Sequence, residues 1–197
     1  MGKTFVEKIF KAETGAIVFA TPDIVMTHDN TASIANTFKK MGGNKVKDPN
    51  QLLVVLDHNA PPTTDKLANQ YQAIRDFVNI QGIKRFHDVG DGICHQVVSY
   101  HARPGMNVVG SDSHVCTAGA FNSMAAGIDR TASAALWKRG ETWFRVPDSI
   151  KITLNGSVNK GVYAKDISLW IIGMIGSAGA NYCSIEYHGE GVKTLSI

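Results

Sequence analysis

The chain has 197 residues, of which 44% are hydrophobic and 19% charged, so it can form a globular core and is not disordered. Its net charge of +3 is small and scattered, and without a basic cluster the sequence predicts no nucleic-acid binding. No apolar stretch approaches the length of a membrane span, and the N-terminus has no signal-peptide pattern. We therefore expect a soluble, cytoplasmic protein that does not bind membranes.

Three cysteines, Cys94, Cys116 and Cys183, are widely separated in the sequence. An odd number of cysteines without a Cys-x-x-Cys motif predicts reduced thiols rather than a disulfide framework. For the same reason we predict that this chain alone supplies no metal ligands for a zinc site or an iron–sulfur cluster.

Short apolar runs alternate with longer amphipathic stretches, which is typical of an α/β fold with a mainly parallel sheet covered by helices. In chain order, the predicted elements are a helix over 5–12, extended segments over 16–20 and 24–26, a helix over 31–41, a strand over 52–56, a helix from Thr63 or Thr64 to Ile80, a strand over 85–89, a helix over 92–100, strands over 106–109 and 150–154, and a helix over 164–175. Because no linker or internal repeat interrupts this pattern, we predict a single domain over 1–197.

Asp57 and His58 directly follow the predicted strand over 52–56. An aspartate beside a histidine at a strand end can fix the imidazole tautomer and raise its pKa, which makes a general acid near neutral pH. For this pair taken alone, a turn with a solvated histidine is favoured, and the recurrence of the pattern at further strand ends shifts the interpretation toward a site.

A glycine-rich segment over 88–95 follows another predicted strand and places His95 in the first turn of the next helix. A helix N-terminus favours anions, so this junction suits a ligand that carries a carboxylate. The alternative is a simple glycine-rich loop with a histidine in the core.

The most informative segment, over 110–114, follows the predicted strand over 106–109 and contains Asp112, Ser113 and His114. Open α/β sheets place their chemistry at the carboxyl ends of the strands. Asp112 can accept a hydrogen bond from an imidazole, and Ser113 can donate one to a substrate. A serine hydrolase is the weaker alternative, because adjacent residues do not converge into a triad and the Gly-x-Ser-x-Gly motif is absent.

His28 follows the extended segment over 24–26 and belongs to a similar polar cluster. Asn30 or Thr31 could serve only as the N-cap of the next helix, and we weigh this alternative equally with a site.

Three further histidines are less informative. We expect His87, in a strand, and His101, in a polar loop, to be structural or solvated. His188 lies between a strand-like stretch and glycines and remains a candidate.

Taken in order, these segments resemble the aconitase superfamily, and within it the large subunits of 3-isopropylmalate dehydratase and homoaconitase. The matching segments are 2–4, 7–9, 28–29, 57–58, 61–62, 92–96, 104–105, 110–114 with Cys116, 142–144, 146–147 and 186–191. The combination is specific, although each segment alone is not.

The resemblance implies an aconitase-type α/β domain and a hydro-lyase that dehydrates and rehydrates a malate-type 2-hydroxy acid, as in leucine biosynthesis. In this family a 4Fe–4S cluster acts as a Lewis acid on the substrate. The family serine that abstracts the carbon-bound proton lies in a swivelling domain, which implies a separate small subunit as partner.

The resemblance also implies roles for individual residues. His58 would protonate the departing hydroxyl and Asp57 would orient it. His95 would pair with Asp112, and His114 would complete the proton network. Ser113 would bind a carboxylate of the substrate, and His28 would contact the substrate.

The sequence departs from the family pattern in several places. The three cluster cysteines of the family, and a glutamate that supports the position of His114, belong to segments downstream of 186–191 that this sequence does not contain. Val115 stands where the family pattern has a threonine. Within the segment 127–132, another residue stands where the pattern has an acidic one. We therefore expect the N-terminal portion of a large subunit, which is inactive alone and holds no cluster.

Several functional alternatives remain. The substrate could instead be that of homoaconitase, or a citramalate-type or dimethylmalate-type acid, because these acids differ only in a side group. An alternative of another class is a non-catalytic, stand-alone domain.

Overall fold

The structure is a computed structural model that describes residues 2–195, so three residues of the predicted domain, Met1, Ser196 and Ile197, lie outside it. The helices are α1 (Phe5–Phe10), α2 (Thr31–Lys40), α3 (Asp65–Gln81), α4 (Cys94–His101), α5 (Arg130–Arg139) and α6 (Ala164–Ile175). The strands are β1 (Ile17–Ala20), β2 (Ile24–Thr27), β3 (Leu52–Val55), β4 (Arg85–His87), β5 (Asn107–Gly110), β6 (Met124–Gly127), β7 (Thr142–Arg145), β8 (Asp148–Thr153) and β9 (Cys183–His188). The 3₁₀ segments are Val115–Phe121 and Glu190–Thr194.

Local capping chemistry explains the helix boundaries. The hydroxyl of Thr64 accepts the backbone N–H of Leu67 and so begins α3, while Gly82 ends it with a φ of 71°, a left-handed conformation that glycine adopts without strain. Thr4 and Glu7 form a reciprocal capping box at the start of α1. These signals are local, which is why the sequence predicts both helices.

The central sheet is parallel and has the strand order β4-β3-β2-β5-β6. β3 pairs with one edge of β2, and β4 pairs with β3. β5 then pairs with the opposite edge of β2, and β6 pairs with β5. This reversal creates a topological switch point between β2 and β5, and in such sheets ligands bind outside the carboxyl ends of the strands at the switch. The predicted α/β class with a mainly parallel sheet is confirmed.

The core lies on both faces of this sheet. Ile24 and Met26 of β2 pack on one face in a cluster that includes residues of α4 and the 3₁₀ segment Val115–Phe121. On strands the side chains alternate between faces, so Val25 points to the other one. Trp137 of α5 is buried there and stacks on Phe77 of α3 with ring centroids 5.2 Å apart.

The described chain divides into two compact units. One comprises residues 19–144 and holds the parallel sheet; the other comprises residues up to 18 together with those from 145 onwards. In the second unit β8 and β9 pair in parallel and the backbone N–H of Phe5 donates to Glu186. β1 and β7 form a separate two-stranded sheet. That 1–197 is one domain stays a prediction.

Within residues 2–195 no helix is long and apolar enough to cross a membrane.

A candidate active site at the carboxyl edge of the parallel sheet

The seven predicted site residues lie at one edge of the sheet, where β2, β3 and β5 end side by side. His28 follows β2, and Asp57 and His58 follow β3. The turn after β5 carries Asp112, Ser113 and His114, and His95 lies in the first turn of α4. Segments that are far apart in the sequence are therefore brought to the switch point.

The carboxylate of Asp112 is the centre of the site. One of its oxygens, Oδ1, lies 3.2 Å from Nε2 of His95 and 3.6 Å from Nδ1 of His114, and its other oxygen lies 3.5 Å from Nε2 of His58. The side chain of Asp112 is only 9% exposed. Burial raises the pKa of Asp112, but the backbone N–H of His114 and the neighbouring histidines outweigh it and hold this pKa below its ordinary value.

His58 is held between two carboxylates. Its Nδ1 lies 2.7 Å from Oδ1 of Asp57, and its Nε2 faces Asp112. Burial lowers the pKa of His58, but the hydrogen bond to Asp57 and the nearby negative charges more than compensate, so the pKa lies above its usual value. Both ring nitrogens of His58 therefore face a carboxylate, which favours the protonated imidazole.

Asp57 is itself fixed by α4. Its second oxygen, Oδ2, accepts a 2.6 Å hydrogen bond from the backbone N–H of Cys94, the first residue of that helix. One carboxylate therefore satisfies a free N–H at the helix start and orients the imidazole of His58.

His28 stacks on His58, with ring centroids 3.8 Å apart and an interplanar angle of 18°. Burial and then the adjacent His58 lower the pKa of His28. The two stacked rings therefore differ in character, because the environment favours the charged form of His58 and the neutral form of His28.

Asp29 and Tyr71 also contact the site but are not among the seven predicted residues, although Asp29 belongs to the matching segment 28–29. Asp29 is buried and accepts hydrogen bonds from the backbone N–H groups of Asp57 (3.1 Å) and Asn59 (2.7 Å) and from the hydroxyl of Tyr71 (2.7 Å). This buried carboxylate fixes the loop that presents His58. This role is not readable from the local pattern, because the hydrogen-bond partners of Asp29 lie about 30 to 40 residues away.

Asn30 connects the two strands of the switch point. Its side chain donates to the carbonyl of Ser111 (2.8 Å) and accepts from the Ser111 hydroxyl (3.0 Å). Asn30 occupies the N-cap position of α2, but its side chain makes no capping hydrogen bond. The N-cap alternative is therefore wrong for the Asn30 side chain, and a role of this segment at a site stays a prediction.

The geometry of Ser113 argues against a hydrolase. Its Oγ lies 3.3 Å from Nδ1 of His114, and Asp112 approaches the same ring nitrogen. A catalytic triad needs the serine and the aspartate on opposite nitrogens of one imidazole. The three adjacent residues therefore do not form a triad.

An open depression of about 650 Å³ adjoins the site. It is lined by residues 111–113 and 127–131, among them Arg130 at the start of α5. The sequence patterns do not predict α5, in which only Leu136 and Trp137 are large apolar residues, and so they do not place Arg130 in this lining.

Some of these residues could hold a metal ion. His95, Asp112 and His114 each offer one ligand atom, and these atoms lie within 4.8 Å of one another. An iron–sulfur cluster does not fit the cysteines, because each group of potential ligands in residues 2–195 contains at most one cysteine. Cys94 is buried, and burial together with Asp57 raises the pKa of its thiol.

The remaining histidines have partners other than these site residues. Nε2 of His87 and Nε2 of His101 are 3.1 Å apart, so these two residues hydrogen-bond to each other. The prediction of a loop at His101 is wrong, because this residue ends α4. His188 belongs to the other unit, where its Nε2 lies 3.4 Å from Glu186.

Comparison with known proteins identifies the family. The model of the aconitase family (aconitate hydratase) matches residues 3–197. The chain belongs to the aconitase family. The predicted resemblance is therefore confirmed over nearly the whole chain.

The curated relatives of this family member carry two kinds of name. The chain is 44% identical to the 3-isopropylmalate dehydratase large subunit 1 of Methanopyrus kandleri, and the match covers all of this chain and 49% of that relative. It is 42% identical to the probable methanogen homoaconitase large subunit of Methanosarcina mazei, over 91% of this chain and 47% of the relative. A 3-isopropylmalate dehydratase large subunit 1 of Thermotoga maritima is 40% identical over the whole chain. The chain spans about half the length of these relatives.

Proposed function

We propose that this chain is the N-terminal portion of a 3-isopropylmalate dehydratase-type large subunit. It would supply the acid–base residues of the active site. The reaction would dehydrate and rehydrate a malate-type 2-hydroxy acid, in leucine biosynthesis and in the cytoplasm. The names of the relatives support the reaction class.

The observation that carries this proposal is the convergence of three imidazoles on Asp112, at distances of 3.2 to 3.6 Å, at the switch point of a parallel sheet. Removal of a hydroxide from an alcohol carbon needs an acid that protonates the leaving oxygen. His58 meets this need, because carboxylates raise its pKa and its Nε2 faces Asp112, a residue that lines the open depression.

In the proposed mechanism, His58 donates its proton to the departing hydroxyl and takes it back when water adds. Asp57 holds the ring in position, and Asp112 lies next to Nε2 as that nitrogen loses and regains the proton. His95 and His114 would complete the proton network around Asp112.

Ser113 and His28 are the proposed substrate contacts. A 2-hydroxy diacid carries two carboxylates, and the cation of Arg130 in the adjoining depression is an additional candidate for one of them. Some relatives are named 3-isopropylmalate dehydratase and others homoaconitase, so the proposal gives the class of the acid and leaves its side group to the experiment.

Two components would come from outside this chain. The 4Fe–4S cluster of the family would act as a Lewis acid on the substrate hydroxyl, and its ligands are proposed to lie in the half of the large subunit that this chain does not match. The words "large subunit" in the relatives' names imply a small subunit, which we propose as the partner. Its serine would take the proton from the adjacent carbon as the hydroxyl leaves, and would return it when water adds.

A chimeric enzyme tests the proposal. Residues 1–197 of this chain replace the matched part of the Methanopyrus kandleri large subunit, which is produced with that organism's small subunit and assayed anaerobically after cluster reconstitution. We expect turnover of 3-isopropylmalate, and a loss of about 10²- to 10⁴-fold in kcat for His58→Gln. His101→Gln, outside the site, is the control.

The same assay distinguishes the alternatives. Preference for a homocitrate-type acid would replace the proposed substrate with that of homoaconitase. An inactive chimera with correctly loaded cluster would contradict the proposal and favour a non-catalytic domain. The isolated chain is expected to show no turnover.

A further inference from the structure

The two turns that carry His28 and Asp112 leave the sheet side by side at the switch point. β2 and β5 pair in register as far as Met26 and Gly110, and the backbone N–H of Ser111 still donates to the carbonyl of Met26 (3.0 Å). Beyond this bond one chain continues into the turn with His28 and the other into the turn with Asp112. Strands at a switch point diverge into a crevice, so the spacing of these turns needs a further contact.

The side-chain amide of Asn30 supplies this contact. Its Nδ2 donates to the carbonyl of Ser111 (2.8 Å), and its Oδ1 accepts from the Ser111 hydroxyl (3.0 Å). The same Oδ1 faces the backbone N–H of His28 at 3.3 Å. Asn30 is only 8% exposed, so water competes little for these bonds. One amide thus joins the two turns.

The backbone of Asn30 is itself fixed. Its carbonyl accepts from the backbone N–H of Ile34 (3.1 Å) and from the hydroxyl of Ser33 (2.8 Å), both in α2. Thr31 donates to the carbonyl of His28 through its backbone N–H (2.8 Å) and its hydroxyl (2.6 Å). The turn with His28 is therefore attached to the start of α2, and the amide is held in place before any ligand arrives.

The chemistry of this bridge requires an amide. Asparagine and glutamine are the side chains that carry a donor and a carbonyl acceptor at one end, whereas a carboxylate has no donor for the Ser111 carbonyl. Glutamine is longer by one methylene group. Loss of the amide would leave the carbonyl and the hydroxyl of Ser111 without these partners.

We propose that Asn30 is a positioning residue of the active site, whose amide sets the spacing between the turn of His28 and the turn of Asp112. The two turns carry different proposed roles, because His28 would contact the substrate and Asp112 is the centre of the imidazole cluster. The kinetic consequence rests on the proposed function. The coupling of the two turns does not, because it follows from contacts within this chain.

NMR of the full chain tests the coupling. In Asn30→Ala we expect the imidazole ¹H–¹⁵N signals of both His28 and His95 to move, since Nε2 of His95 lies 3.2 Å from Asp112. Thr64→Ala is the matched control. It removes the hydroxyl that caps α3, a helix start outside both turns, and should lower stability without moving either signal.

Ser111→Ala divides the bridge. It removes the hydroxyl bond but keeps the 2.8 Å bond from Nδ2 of Asn30 to the Ser111 carbonyl, so it should move the same signals by less than Asn30→Ala does. Added to Asn30→Ala it should change little more, because its partner is already gone. If Asn30→Ala does not fold, Ser111→Ala alone decides whether both signals move.

The chimeric enzyme tests the consequence for catalysis. Misplaced reacting groups cost up to about 100-fold in rate, so Asn30→Ala should lower kcat/KM by about 10- to 100-fold. Because one turn would bind substrate and the other would move protons, both KM and kcat should change, whereas Thr64→Ala should keep both. An inactive wild-type chimera would contradict the proposed function alone, and the NMR result would then decide this inference.

Three results would overturn the inference. Asn30→Ala moves the signal of only one of the two histidines; Thr64→Ala moves both signals as far as Asn30→Ala does; or the effects of Asn30→Ala and Ser111→Ala add. The first two would show that Asn30 does not couple the turns, and the third that Ser111 acts without it.

Discussion

The hydroxyl of Tyr71 donates a 2.7 Å hydrogen bond to the carboxylate of Asp29, although the two residues are 42 positions apart. Both side chains are buried. Burial raises the pKa of Asp29, but hydrogen bonds from Tyr71, Asn59 and Asp57 overcome this effect and lower it. A buried anion with this many donors connects the end of β2 to the loop after β3, and so connects the fold to the position of His58.

The first prediction concerns this anion. Asp29→Asn replaces an acceptor oxygen with an NH₂ group that faces N–H donors, so we expect a loss of about 1–3 kcal/mol in the free energy of unfolding. The change also removes a negative charge that raises the pKa of His58, so the pKa of His58 should fall in this variant. Urea denaturation measures the first effect and NMR titration of the histidines the second.

Tyr71→Phe is the companion variant. It removes one donor but keeps the charge of Asp29, so it should lower stability and leave the pKa of His58 nearer to the wild-type value. Equal pKa values of His58 in Asp29→Asn and the wild type would show that Asp29 does not act on the imidazole.

The second prediction concerns the Asp57–His58 pair. Asp57→Asn removes the ionised acceptor 2.7 Å from Nδ1 of His58, so the pKa of His58 should fall. A group with a raised pKa contributes stability at low pH that is lost as pH rises through the folded-state pKa, and this contribution should shrink in the variant. The measurement is ¹H–¹⁵N NMR titration of the imidazole nitrogens.

Asp91→Asn is the control for this experiment. Its carboxylate lies 3.7 Å from Nδ1 of His87, away from the site, so the variant should leave the titration of His58 unchanged. An unchanged titration of His58 in Asp57→Asn would remove the argument for a general acid at this position.

Sequence patterns predict the residues at the strand ends but not which strands are neighbours. The residue types at each strand end are readable, because buried strands and turn residues have strong local signals. Asp57, His58 and Asp112 are therefore predicted as site residues from position alone. That β2, β3 and β5 are neighbours depends on strand order, which a local pattern does not encode.

The missed parts have physical reasons. β6 contains Met124 and small residues with weak strand propensity. The apolar residues of α5 are three alanines and the adjacent pair Leu136 and Trp137, so neither element produces a clear periodic pattern of large apolar residues. Arg130 is missed with α5. Asp29 lies in a polar segment that the sequence marks, but its role is not predicted because nothing in a local pattern distinguishes a buried, multiply hydrogen-bonded aspartate from a turn residue.

The third prediction is a pH dependence. The lowered pKa of Asp112 stabilises the folded state above the unfolded-state value of about 3.9, and this contribution is lost as pH falls through the folded-state pKa. Wild type should therefore lose more stability in acid than Asp112→Asn does. Urea denaturation at a series of acidic pH values measures the difference, and parallel curves for the two proteins would contradict the prediction.

The fourth prediction concerns Gly110, the last residue of β5, which allows close approach at the base of the site. A Cβ at this position would lie 2.9 Å from Cγ2 of Val115 and 3.1 Å from the carbonyl oxygen of Met26. Because both neighbours belong to packed elements, Gly110→Ala should destabilise the fold by about 1–3 kcal/mol. Gly119→Ala is the matched control, because a Cβ there has no heavy atom within 4 Å.

A double-mutant cycle locates the cause of this destabilisation. If the clash with Val115 dominates, Val115→Ala should cost less in the Gly110→Ala background than in the wild type, because it makes room for the new methyl group. Additive effects would assign the cost to the Met26 carbonyl instead. If Gly110→Ala is as stable as Gly119→Ala, the end of β5 can shift to accommodate the methyl group. The turn that holds Asp112 would then be less tightly fixed than its contacts imply.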